Sequence, residues 1–163
     1  MKSLLKSFVY AFKGIFWCIC NERNMRIHLC FMVYMFGFLT VHDFFDVSRS
    51  QFAVLIGLCA LVLALEAVNT AVEKAVDLET KERHELAKIS KDAAAGAVLI
   101  AAIGAVAAGI SILYQPEAFA AMFEYYKENI PVFIGFVISF AASLVFVFAG
   151  PKGIKEFFRK HIK

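Results

Sequence analysis

Residues 58–92 read LCALVLALEAVNTAVEKAVDLETKERHELAKISKD, and the apolar run that opens this stretch carries ionisable groups. Glu66, Asn69, Glu73 and Asp77 stand at offsets of 0, 3, 7 and 11. At about 100° per residue these positions fall within about 80° of arc, so a helix here presents one polar, acidic stripe. Lipid penalises charge at depth, and an ionisable residue inside a membrane span points to function by default. The stripe runs into a short charged loop, ETKERHELAKISKD, and then into a second apolar helix beginning near Asp92.

The rest of the chain supports a membrane setting. Of 163 residues, 61% are hydrophobic, and the mean hydropathy is +0.70. Soluble domains hold roughly 45–50% apolar residues, so this chain has too little polar surface to cover a soluble core. The spacing predicts an amphipathic helix over 3–20, with Leu4, Leu5, Phe8, Val9, Phe12, Ile15, Phe16 and Ile19 on one face and Lys2, Ser3, Lys6 and Lys13 opposite. Such a helix lies in the membrane interface, packs on the bundle, or does both. A polar break, NERNMRIH at 21–28, is expected at the cytoplasmic surface with Glu22, Arg23, Arg26 and His28.

Spans are expected near 27–41, 52–76, 92–113 and 130–150, with outer segments at 42–50 and 115–129 and a basic amphipathic tail. The third span is rich in Ala and Gly, which permit close helix approach in lipid, so it is placed at the bundle centre or at a subunit interface. The fold class is therefore all-α and integral to the membrane: an interfacial N-terminal helix, a three-helix transmembrane bundle and an additional fourth span. Residues 1–114 are read as one domain and 115–163 as an appended outer segment, span and tail. The fourth span reads as an additional anchor or a lipid-facing support.

Seventeen Lys and Arg are distributed unevenly. They gather in the first 26 residues, around 77–92 and in the tail beyond 150, which the positive-inside rule assigns to the cytoplasm. The chain is accordingly expected as a multi-pass protein of the bacterial inner membrane with both termini cytoplasmic. Interleaved apolar spans argue against nucleic-acid binding. Cys18, Cys20, Cys30 and Cys59 form no CxxC and sit in apolar helical sequence, so they read as small packing residues.

The acidic stripe at the cytoplasmic end of a span admits several chemistries. A transporter would place charge near midplane, often with internal repeats, and none is seen. Arg from a partner helix could pair with the stripe. Oxygen donors facing a basic loop fit Mg²⁺ and phosphate best, because Mg²⁺ binds one or two protein carboxylates plus substrate phosphates. No P-loop or protein-kinase signature is present.

The blocks LEAVNTAVEKAVDL and HELAKISKDAAAGAVLI resemble the small integral-membrane diacylglycerol kinases of bacteria, and NERNMRIHL resembles the undecaprenol kinase branch. The resemblance covers about residues 3–114. It implies a homotrimer with active sites between subunits and ATP-dependent phosphorylation of a lipid alcohol, either undecaprenol or diacylglycerol. By this resemblance Glu66 is the catalytic base and helps position the substrate, with Asn69 one turn away. Glu22 and Glu73 hold Mg²⁺ and contact the nucleotide. Asp77, Glu82, Arg83, His84, Lys91 and Asp92 form the nucleotide side, joined by Tyr10 on the surface helix. An N-terminal Arg found in some members is replaced here by Ser3, with Lys6 nearby. Read without the resemblance, Asp77 caps a helix end or pairs with Lys74 or Lys81, and Asp92 N-caps the third transmembrane helix.

Overall fold

Apolar runs separated by short polar breaks should form helices that start and stop at the breaks, and the computed structural model, which describes residues 2–79 and 84–161, shows this pattern. The helices are α1 (Lys2–Asn21), α2 (Arg23–Val41), α3 (Arg49–Glu79), α4 (Glu85–Leu113), α5 (Pro116–Glu128) and α6 (Ile130–His161). Among the described residues there is no strand. Four of these helices, α2, α3, α4 and α6, are long and apolar enough to cross a membrane. The chain is an all-α, multi-pass integral membrane protein.

α3 and α4 form the most extensive pairing, an antiparallel hairpin. α2 lies against α3 and α6, α5 leans on α6, and α1 touches α2, α3 and α6. Leu55, Val62, Val98 and Ala101 are buried between the packed faces, while Leu99, Ile100, Ile103, Val106 and Ile110 are exposed. Apolar side chains turned outward are compatible with lipid tails, which solvate them without cost.

The start of α4 differs from the sequence reading. The helix begins at Glu85, well before Asp92, and His84 is its N-cap, its Nδ1 accepting from the Leu86 backbone N–H at 3.2 Å. Asp92 therefore lies inside the helix and caps nothing. The segment ELAKISK is made largely of good helix formers, so the helix extends into what the charge density marks as loop. Of the two places expected for α4, it does not take the centre of the single-chain bundle: among the described residues it packs against α3 alone, and a Cβ added at Gly96, Gly104 or Gly109 would meet open space.

The end of the bundle opposite the α3–α4 connection is closed by aromatic contacts. His42 stacks on Phe44 at 4.9 Å between centroids, and both rings meet Tyr125 of α5. The Gln115 side chain accepts from the Asp46 N–H and donates to the Asp46 carbonyl, each at 3.0 Å, pinning the 42–48 turn to the start of α5. The fourth span is no loose appendage. Tyr34 of α2 meets Phe136 and Phe140 edge-on and donates to Ser139 Oγ at 3.2 Å. Residues 130–149 rise about 1.5 Å each and so cover about 30 Å of hydrocarbon. Gly150, at φ 64 and ψ 170, then breaks the helix ahead of Pro151, and the basic tail continues as a helix to His161.

Candidate active site

α3 runs unbroken from Arg49 to Glu79, so the stripe foreseen from spacing is realised on one helix face. Glu66 and Asn69 are buried, at 3% and 8% exposure, whereas Asp77 is exposed. The stripe thus passes from apolar depth to the aqueous edge over about 16 Å of helix. Asn69 Nδ2 donates to Glu73 Oε1 at 3.2 Å, one turn further along. Asn69 Oδ1 is buried without a partner among the described residues. An orphaned buried acceptor costs about 1–3 kcal/mol, so it marks a place where an external donor would be stabilising.

Glu22 enters from a different element. It is the extended residue (φ −102, ψ 122) at the elbow between α1 and α2. Its carboxylate lies 3.6 Å from Lys74 Nζ on α3. The same ammonium sits 5.6 Å from the centre of the Trp17 ring on α1. Cys18 of α1 and Thr70 of α3 are both buried here. The elbow therefore places Glu22 beside the stripe, and both Glu22 and Glu73 lie within electrostatic reach of Glu66.

At the exposed end of the stripe Lys91 of α4 bonds Asp77 of α3. Of the partners expected for Asp77, Lys74 forms its ion pair with Glu22 instead, and Lys81 lies outside the described residues. Lys91 wins because the antiparallel hairpin brings the first turns of α4 against the last turns of α3. Glu66, Asn69, Glu73 and Asp77 thus line one face of α3, with Lys91 bonded at its exposed end and Glu22 joined to the same helix through Lys74. Tyr10 is exposed on α1, three turns before the elbow, with Lys13 Nζ 6.0 Å from its ring. Asp92 is exposed on α4 and His84 is occupied as a cap. Glu82 and Arg83 lie outside the described residues.

Sequence reasoning missed Lys74 and Arg26. Lys74 is adjacent to a stripe residue but off its face, and its partners Glu22 and Trp17 are remote in sequence. Arg26 was placed at the aqueous surface, yet it is 6% exposed. Because Lys74 is half exposed, its ion pair and ring contact stabilise modestly, by about 1 kcal/mol or less for each. Lys74→Met is expected to lower unfolding stability by no more than about that amount, read from SDS denaturation in mixed micelles.

The donor set suits Mg²⁺. Among the described residues no group of three His, Cys, Asp or Glu side chains converges to form an all-protein metal site. Two carboxylates on separate elements beside an open aqueous edge match an ion that completes its shell with phosphates and water. A cavity of about 420 Å³ opens between α2, α3 and α4, lined by apolar groups including Phe31, Met35, Leu55 and Val62. Val62 is one turn from Glu66, so the apolar space ends where the carboxylates begin.

These features define a helical, multi-pass membrane protein with an acidic site spanning apolar depth and the aqueous edge. The chain belongs to the prokaryotic diacylglycerol kinase family, whose model matches residues 9–113. It is 44% identical over 115 residues to a diacylglycerol kinase of Synechocystis sp., covering 70% of this chain and 64% of that one. It is 37% identical over 119 residues to an undecaprenol kinase of Bacillus subtilis, covering 72% of this chain and 92% of the relative. A diacylglycerol kinase of Escherichia coli K12 is 32% identical over 112 residues, covering 69% and 89%. The family is one of lipid kinases. The family match ends with α4, leaving α5 and α6 beyond it.

Proposed function

We propose that this chain is an MgATP-dependent kinase of a membrane lipid alcohol, with undecaprenol as substrate and diacylglycerol as the competing reading. The observation that carries the proposal is the burial of Glu66 on α3, one turn beyond Val62 of the apolar cavity lining, with Glu22 and Glu73 within electrostatic reach. The lipid tail occupies that cavity and its hydroxyl reaches Glu66. Glu66 accepts the hydroxyl proton as the oxygen attacks the γ-phosphorus in line. The new O–P bond forms as the bond to the β–γ bridging oxygen breaks, and ADP leaves.

Asn69 positions the hydroxyl, its free Oδ1 accepting while its amide holds Glu73. Glu22 and Glu73 would hold Mg²⁺, whose charge offsets that of the phosphates. Lys91 faces the nucleotide phosphates, held in place by Asp77, with Asp92, His84, Glu82, Arg83 and Tyr10 making up the rest of the nucleotide side. An even number of candidate spans is consistent with both termini on one side, and the basic clusters favour the cytoplasm, where ATP is, as that side. The uncovered small-residue face of α4 supports assembly as a homotrimer in the inner membrane. On this reading residues 1–114 form the kinase domain.

Undecaprenol is favoured by the NERNMRIHL block and by the B. subtilis relative, nearly all of which is matched. Purified protein in bilayers should phosphorylate undecaprenol faster than diacylglycerol at equal mole fraction. A higher rate on diacylglycerol would reverse the substrate assignment, and ATP-driven solute uptake without lipid phosphorylation would instead make the protein a transporter.

A further inference from the structure

Arg26 carries a buried charge that the kinase chemistry above does not use. Its Nε donates to the Val147 carbonyl of α6 and its Nη1 to the Ile19 carbonyl of α1, each at 3.1 Å. Both acceptors are orphans. The Val147 carbonyl would ordinarily receive the N–H of residue 151, but Pro151 has none. The Ile19 carbonyl belongs to the last turn of α1, which ends at the elbow. One guanidinium thus satisfies the broken ends of two helices, where two C-terminal dipoles also favour positive charge.

Gly150 makes room for it. Its φ of 64 lies in the left-handed region, and a Cβ there would stand 3.1 Å from Arg26 Cζ and 3.2 and 3.3 Å from the two Nη atoms. Beside this contact, Lys152 donates to Asn21 Oδ1, the last residue of α1. The break in the fourth span is therefore fitted to the α1–α2 elbow. That elbow is Glu22, one turn before Arg26 on α2.

We propose that Arg26 is a positioning residue that clamps the elbow to the Gly150–Pro151 break, so that the fourth span fixes the orientation of Glu22 as a metal ligand. The fourth span is then part of the machinery of the site rather than an added anchor. The inference rests on the kinase reading for the role of Glu22, whereas the clamp itself rests on geometry alone.

The test uses the full chain in nanodiscs. Mn²⁺ binding in the presence of ADP is followed by EPR, and the spacing of α1 and the α6 tail by spin labels at positions 13 and 155, introduced through ketone-bearing amino acids and diluted with unlabelled chain. Gly150→Ala and Arg26→Gln should each weaken Mn²⁺ binding about tenfold or more, as losses of supporting contacts around a metal do, and should broaden the label distance. Gly135→Ala, where a Cβ on the same helix meets nothing, should change neither. If Gly150→Ala does not fold, Arg26→Gln carries the test. Unchanged Mn²⁺ affinity in folded variants, with or without a broadened distance, would overturn the proposal, as would weakened binding with no change in distance. Wild-type chain that binds no Mn²⁺–ADP would overturn the kinase reading itself, and the label distances would still report on the clamp.

Discussion

Glu66→Gln is expected to lower the rate of lipid phosphorylation by about 10²–10⁴-fold, the range that a positioned general base contributes. The substitution keeps the shape of the side chain and removes only the group that takes the proton. Glu66 is 3% exposed in a membrane-spanning helix, where an ionised side chain is costly. Replacing it by an amide should therefore leave the fold intact or make it slightly more stable. The signature is a collapse of kcat with undiminished resistance to SDS and a near-normal KM for MgATP. A variant with near wild-type kcat would remove Glu66 from the role of base.

Glu73→Ala should act on a different axis. Its carboxylate is held by Asn69 at 3.2 Å and lies on the stripe between the buried Glu66 and the exposed Asp77. Loss of a supporting partner around a bound metal costs about 10–100-fold in affinity, and loss of a ligand should cost at least that. The Mg²⁺ concentration for half-maximal rate should rise by that factor or more, while saturating Mg²⁺ restores part of the activity. Glu22→Ala should behave alike, and the pair should not be additive, because both groups serve one ion. An unchanged Mg²⁺ dependence in Glu73→Ala would take that residue out of the metal site.

Much of this was legible from the chain. The spacing of Glu66, Asn69, Glu73 and Asp77 sufficed to place them on one face, because α3 has no break between Arg49 and Glu79. The four spans were equally plain, since apolar runs of that length leave little choice. The boundary of α4 was not, because charge and helix propensity point opposite ways over ELAKISK, and propensity with the His84 cap prevailed. The approach of Glu22 to the stripe could be read only through family resemblance, as it depends on how α1 folds back against α3. The burial of Arg26 was hidden for a related reason. A lone Arg in a polar break looks solvated until Pro151, far along the chain, is seen to leave Val147 without its usual donor. The fourth span was legible as a span, but its docking on α2 through Tyr34, Phe136 and Phe140 was not.

The central claim is that a carboxylate at the end of an apolar cavity passes the γ-phosphate of ATP to a lipid hydroxyl. It is tested most directly by supplying γ-labelled ATP and Mg²⁺ to purified protein in bilayers doped with undecaprenol or diacylglycerol, beside the Glu66→Gln variant. Label should enter the lipid fraction with wild-type protein and not measurably with the variant. Wild-type protein that labels neither lipid, or a variant that labels as fast as wild type, would contradict the account.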